Sequence, residues 1–109
     1  MSQETLAKIQ SQIEANPIIL YVKGTVENPQ CGFSSKAIRA LQAVKAEFET
    51  VDVLANPDIR AALPHYAKWP TFPQLYINGE LIGGCDIIME LLESGELQNL
   101  VNSNTGEKR

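Results

Sequence analysis

Lys23-Gly24-Thr25-Val26-Glu27-Asn28-Pro29-Gln30-Cys31-Gly32-Phe33-Ser34 joins an apolar run, Ile18 to Val22, to a helical pattern that begins at Ser34 or Ser35. Cys31 therefore stands where a strand has ended and a helix is about to start. Unpaired backbone N–H groups and the positive end of the helix dipole favour an anion there. A cysteine in that place is biased toward the thiolate, the form that attacks sulfur or binds metal. Gly32 lets the backbone come close to whatever Cys31 touches. The second thiol of a C-x-x-C redox pair is missing, because position 34 is serine. Either an outside thiol resolves Cys31, or Cys31 is mainly a ligand.

Outward from that junction the elements read in order. Leu6, Ile9 and Ile13 recur at helical spacing, and Asn16-Pro17 stops that first helix. Ile18 to Val22 is short and β-rich, as a strand buried on both faces should be. Gly24 to Gln30 is a loop. Ala37, Ile38, Leu41 and Val44 make an amphipathic helix from Ser34 to Val44, and Phe48 to Val53 alternates like a second strand. Strand, helix, strand over this length is a βαβ unit with parallel strands and a right-handed crossover. Asn56-Pro57-Asp58 opens a third helix, with Asn as cap, Pro at the first helical position and an acid in the first turn. Pro64 shortens or bends it. Gln74 to Ile77 and Glu80 to Ile82 flank Asn78-Gly79, the strongest short hairpin signal. Gly83-Gly84-Cys85-Asp86 leads into a fourth helix that ends around Ser94-Gly95, and Glu96 to Val101 adds a short last one. A βαβ half joined to a ββα half is an α/β chain with a four-stranded mixed β-sheet flanked by helices, the thioredoxin-like arrangement. One domain is expected over residues 1–101, and the polar tail 102–109, with nothing to bury, is expected to fray.

Composition bounds the function. The chain has 109 residues, 44% of them apolar and 20% charged, which describes a soluble globular domain. A net charge of −4 with no basic run argues against a nucleic-acid surface. No apolar stretch approaches the roughly 20 residues that span a bilayer, so no membrane role is expected. The N-terminal Met1-Ser2-Gln3-Glu4-Thr5 lacks the pattern of a secretory signal, and the two cysteines suit a reducing compartment. The cytoplasm is the expected location.

Other residues gain meaning from position. Lys23, at the end of the first strand, is a cation able to assist a Cys31 thiolate, and Arg60 is a further cation. Cys85 is the only other thiol. It reads either as a packing residue or as a direct redox partner. A further reading makes its backbone N–H, with Asp86, the floor of a small-molecule pocket. A cis Phe72–Pro73 bond after Thr71 would leave backbone free to pair with an extended, peptide-like ligand. His65, the only histidine, forms no zinc pattern with two distant cysteines and belongs at the surface or behind the site. Trp69 reads as packing.

Cys31-Gly32-Phe33-Ser34, Trp69-Pro70-Thr71-Phe72-Pro73 and Gly83-Gly84-Cys85-Asp86, in this order and at these separations, resemble a monothiol glutaredoxin of the CGFS class, of the short single-domain type. The likeness spans the whole chain except its tail. It implies a glutathione site: Lys23 and Arg60 at the glycine carboxylate, Thr71 and Phe72 beside cis-Pro73 on the cysteinyl backbone, Cys85 and Asp86 at the γ-glutamyl end. It also implies a [2Fe-2S] cluster. Such a cluster takes four thiolate-type ligands, so two chains would each give Cys31 and one bound glutathione. A cluster-bound homodimer, a BolA-like protein and iron–sulfur client proteins are the partners implied. Three functions follow from these readings: a cluster carrier, a glutathione-dependent thiol–disulfide oxidoreductase that removes glutathione from protein thiols with Cys31 alone, and an interaction module with a vestigial thiol.

Overall fold

Five apolar residues in succession, Ile18–Val22, form strand β1, and every one of them is buried. A strand can lose both faces to the core only if it lies inside a sheet with layers on each side. In the computed structural model of the protein, which describes residues 2–105, β1 pairs in parallel with β2 (Glu49–Asp52), Leu20 facing Thr50. On its other side it pairs antiparallel with β3 (Gln74–Ile77), Leu20 facing Leu75. β4 (Glu80–Gly83) completes the order β2-β1-β3-β4. Asn78 and Gly79 turn the β3–β4 hairpin with φ of 52° and 81°, the paired positive values of a tight primed turn.

Alternation along β1 divides the core. Ile18, Leu20 and Val22 face one side, where Ile38, Leu41, Ile88 and Leu97 pack on them. That layer is built by α2 (Gly32–Ala43), α4 (Cys85–Ser94) and α5 (Glu96–Thr105). Ile19 and Tyr21 face the other side and meet Ile9, Ile13, Ile59 and Leu63, carried by α1 (Gln3–Ala15) and α3 (Pro57–Ala67). Each of these fully buried aliphatic side chains contributes about 1.5–3 kcal/mol by leaving water. The expected α/β fold, a four-stranded mixed sheet flanked by helices, is what forms.

The boundaries differ from the sequence reading in instructive places. Helix α2 starts at Gly32 rather than Ser34 or Ser35, with Cys31 as its extended N-cap. Gly32 and Phe33 face solvent, so the first turn has no apolar periodicity to announce it. Strand β2 is shorter than Phe48–Val53, because it is an edge strand and only Glu49–Asp52 pair with β1. Helix α3 does not stop at Pro64: it continues to Ala67, and the Lys68 and Trp69 amides both donate to the Pro64 carbonyl to close its end. Asn56 is the N-cap residue, but its side chain does not cap; Nδ2 donates instead to the Asp52 carbonyl at 2.9 Å. Helix α5 runs four residues past Val101, to Thr105, so the first half of the expected tail is helical, and residues 106–109 lie outside the described residues.

The β1–α2 connection is tied down at both ends. The Gly24 amide donates to Asp52 Oδ1 at 2.9 Å, and the Leu54 amide shares that oxygen at 2.9 Å. Gln30 donates to the Lys23 carbonyl at 2.9 Å, which closes the loop beneath Cys31. Gly24 holds φ +100°, and a Cβ there would stand 2.6 Å from the Gln30 nitrogen and 2.7 Å from the Asn28 oxygen, both backbone atoms. Gly24→Ala is therefore expected to lower stability by about 1–3 kcal/mol. Urea unfolding checks this, as a lower midpoint at unchanged slope.

Candidate functional site

One edge of the sheet collects what the chain needs for chemistry. β1 and β2 run parallel and each is followed by a helix, so α2 and α3 start at the same edge. β3 is antiparallel to β1 and begins there, and β4 returns to that edge before α4. Helix starts bear unpaired N–H groups and partial positive charge, so this edge favours anions.

Cys31 occupies the N-cap of α2 with φ −148° and ψ 132°, and its carbonyl accepts the Ser35 amide at 2.9 Å. The neutral thiol makes no capping hydrogen bond of full geometry. The amide of Ser34 nonetheless faces the sulfur and is the main influence holding its pKa below the ordinary thiol value. Partial burial opposes this, and the Phe33 amide, the Ser34 hydroxyl and the Lys23 charge add to the lowering. The sulfur is half-exposed and unbridged.

Ser34 has a part that its sequence position did not reveal. Its side chain is fully buried, and its Oγ accepts the Lys23 amide at 3.1 Å. The same hydroxyl is one of the smaller influences that lower the Cys31 pKa. Serine here does more than mark a lost second thiol: it ties the end of β1 to the first turn of α2 and stabilises the charged sulfur.

Cys85 sits at the first residue of α4, half-buried. Burial pushes its thiol up; Lys36 pulls the other way, while Asp86 and Cys31 add to the rise. Two cysteines at helix starts thus shift in opposite directions. The difference lies in what the sulfur meets: amides at Cys31, desolvation and negative neighbours at Cys85.

Between these elements lies a cleft of about 770 Å³. It is lined by every residue that the resemblance places at a glutathione site except Pro73, namely Lys23, Arg60, Thr71, Phe72, Cys85 and Asp86, together with Cys31. Pro73 is buried, and the Phe72–Pro73 bond is cis, as expected. Trp69 is also in the lining, so it is part of the cleft wall as well as packing. A Cβ on Gly84 would lie 3.2 Å from Trp69 Nε1 and 3.2 Å from the Pro73 carbonyl. The glycine is what lets the two walls approach. His65 is exposed and is not in the lining. Among the described residues no group of three or more His, Cys, Asp and Glu is gathered as for a metal ion, and no helix is long and apolar enough to cross a membrane.

A single thiolate-biased cysteine at a helix N-cap, set beside a cis-proline strand in this sheet order, defines a monothiol protein of the thioredoxin-like class. The family described as Glutaredoxin matches residues 18–82, and the chain belongs to that family, as a monothiol member. It is 55% identical over 103 residues to Glutaredoxin 4 of Escherichia coli strain K12, covering 94% of this chain and 90% of the relative. Among solved structures, reduced poplar apo GrxS14 is 45% identical with a TM-score of 0.75, over 94% of this chain and 92% of that one. A buckwheat glutaredoxin–glutathione complex is 26% identical with a TM-score of 0.82, over 96% and 97%.

Opposite pKa shifts predict opposite alkylation profiles. Iodoacetamide labelling, read by mass spectrometry, should modify Cys31 at pH values below the ordinary thiol range and Cys85 only above it. Ser34→Ala should move the Cys31 midpoint upward. The sign for stability follows: a depressed thiol pKa stabilises the fold above the unfolded value, and that contribution fades as pH falls through the folded one.

Proposed function

We propose that this chain binds glutathione in the cleft and, as a homodimer, carries a [2Fe-2S] cluster to recipient proteins. The observation that supports this most is the chemistry gathered around one sulfur. Glutathione is a peptide with two carboxylates, one ammonium and one thiol. Lys23 and Arg60 would take the glycine carboxylate, and the Thr71 and Phe72 backbone beside cis-Pro73 would pair with the cysteinyl residue. The amides of Cys85 and Asp86 at the start of α4 would meet the γ-glutamyl carboxylate, with the Asp86 side chain near its ammonium. The buckwheat relative's glutathione complex supports this reading.

The donor set suits a shared cluster. Cys31 is biased toward the thiolate a metal needs, whereas the Cys85 thiol is pushed the other way. One chain then offers one sulfur ligand, and glutathione is the natural source of a second. Two chains and two glutathiones give the four sulfurs such a cluster takes. Ligands that dissociate suit a cargo that must be released. A BolA-like protein in place of one subunit, and iron–sulfur client proteins as recipients, complete the proposal, with the cytoplasm as its setting.

A second reading is favoured by the same lowered Cys31 pKa: removal of glutathione from protein mixed disulfides. Cys31 thiolate would attack the glutathione sulfur and release the protein thiolate. A second glutathione thiolate would then free Cys31 and leave as glutathione disulfide, since no internal thiol stands at position 34.

Anaerobic reconstitution with glutathione separates the two. Wild type should give a coloured dimer by visible absorption and mass, Cys31→Ser a colourless monomer, and Cys85→Ser a coloured dimer still. Loss of the cluster in Cys85→Ser with glutathione binding intact would refute the ligand count. A colourless wild type that turns over a glutathione mixed disulfide would establish the second reading. Arg60→Glu should weaken glutathione binding about tenfold by calorimetry, since it reverses a partly solvated charge pair.

A further inference from the structure

We propose that Gln74, which does not line the cleft itself, is a positioning residue that sets the wall of the cleft and through it the affinity for glutathione. The choice of ligand rests on the proposed function; the geometry stands by itself. Gln74 opens β3 immediately after cis-Pro73, and its side chain is fully buried. Its Nε2 donates to the Trp69 carbonyl at 3.0 Å and to the Thr71 carbonyl at 3.2 Å. Its Oε1 accepts the Tyr76 hydroxyl at 3.0 Å.

This places both amide hydrogens on one short arc of chain. Trp69 and Thr71 bracket Pro70, and all three line the cleft, so one side chain pins both ends of the wall. The two carbonyls decide which way the amide points, and the Tyr76 hydroxyl, free to donate, satisfies the oxygen that then faces it. Reversed, the amide would set its oxygen against two carbonyl oxygens, an arrangement with no hydrogen to share. Tyr76 is itself held by an edge-on contact with Tyr21, ring centroids 5.8 Å apart. Mechanical continuity therefore runs from the buried centre of the sheet, through Tyr76 and Gln74, to the Trp69–Thr71 arc. From the arc it reaches Gly84, against which the Trp69 indole is set, and so the start of α4.

Only glutamine meets the requirement. Glutamate has no donors, leucine neither donors nor acceptor, and asparagine is one methylene short. Trp69 is half-buried and Thr71 exposed, so carbonyls released from Gln74 can turn to water. The arc would then leave its place opposite Gly84 while the core stays folded.

The test uses the whole chain and two variants, Gln74→Leu and the milder Tyr76→Phe. Trp69 is the only tryptophan, so acrylamide quenching of its emission reports the wall directly. Glutathione Kd by calorimetry should rise about tenfold in Gln74→Leu and roughly twofold to threefold in Tyr76→Phe. Trp69 should become more quenchable in the same order, with the Cys31 alkylation midpoint unchanged. A Kd within roughly twofold of wild type for Gln74→Leu, or a raised Kd with unchanged quenching, overturns the proposal. A shifted Cys31 midpoint overturns it too, because the effect would then be general to the site. If Gln74→Leu does not fold, Tyr76→Phe decides: an unchanged Kd, or a raised Kd with unchanged quenching, overturns the proposal. If the wild type binds no glutathione, the ligand reading fails, and quenching alone decides whether Gln74 holds the wall.

Discussion

Burial of β1 on both faces is the constraint from which the rest of the structure follows. A strand with no solvent-facing side needs helices above and below it and strands on both edges. Here those neighbours have opposite senses, β2 parallel and β3 antiparallel. The consequence is geometric: the end of β1, the start of β3 and the starts of α2, α3 and α4 share one edge of the sheet. Anion-favouring backbone is concentrated there before any side chain is considered. Ligands in open α/β sheets lie beyond the carboxyl ends of strands where the chain direction switches. The cleft beside Cys31 obeys the same rule.

Within that edge, small differences in setting decide what each sulfur is. Cys31 and Cys85 both stand at helix starts, yet one thiol is drawn down and the other pushed up. The helix dipole alone does not discriminate between them. Direct amide contact outweighs desolvation at Cys31. At Cys85 burial is the largest influence and its nearest charges partly cancel. Ser34 sharpens the distinction, since the hydroxyl that accepts the Lys23 amide also lowers the Cys31 pKa. A chain with two thiols thereby behaves as a monothiol protein.

Much of this was legible in the residues. The apolar run Ile18–Val22, the Asn78-Gly79 turn and the Gly95 helix end follow local rules that tertiary contacts did not need to override. The lone Cys31 before a helix, and cations and an acid placed to join it, were visible too. What escaped was anything carried by a single long-range hydrogen bond. Ser34 looked like an absence because its partner, the Lys23 amide, is eleven residues away. Gln74 looked like an ordinary strand residue because a polar side chain at a strand start carries no local signal of burial. The α2 start was misplaced because Gly32 and Phe33, facing solvent, carry no periodicity.

Sequence by itself determined the order of elements and the thiol at the head of the second helix, because hydrophobic periodicity, turn chemistry and helix-end electrostatics act over a few residues, and its three motifs carried the family resemblance. Tertiary structure alone decided that Lys23, Arg60, Thr71, Phe72, Cys85 and Asp86 line the same cleft as Cys31. It also decided which buried polar groups hold that cleft in shape. Those outcomes depend on strand register and on which faces of distant segments meet, and such distances are set only when the whole core packs at once.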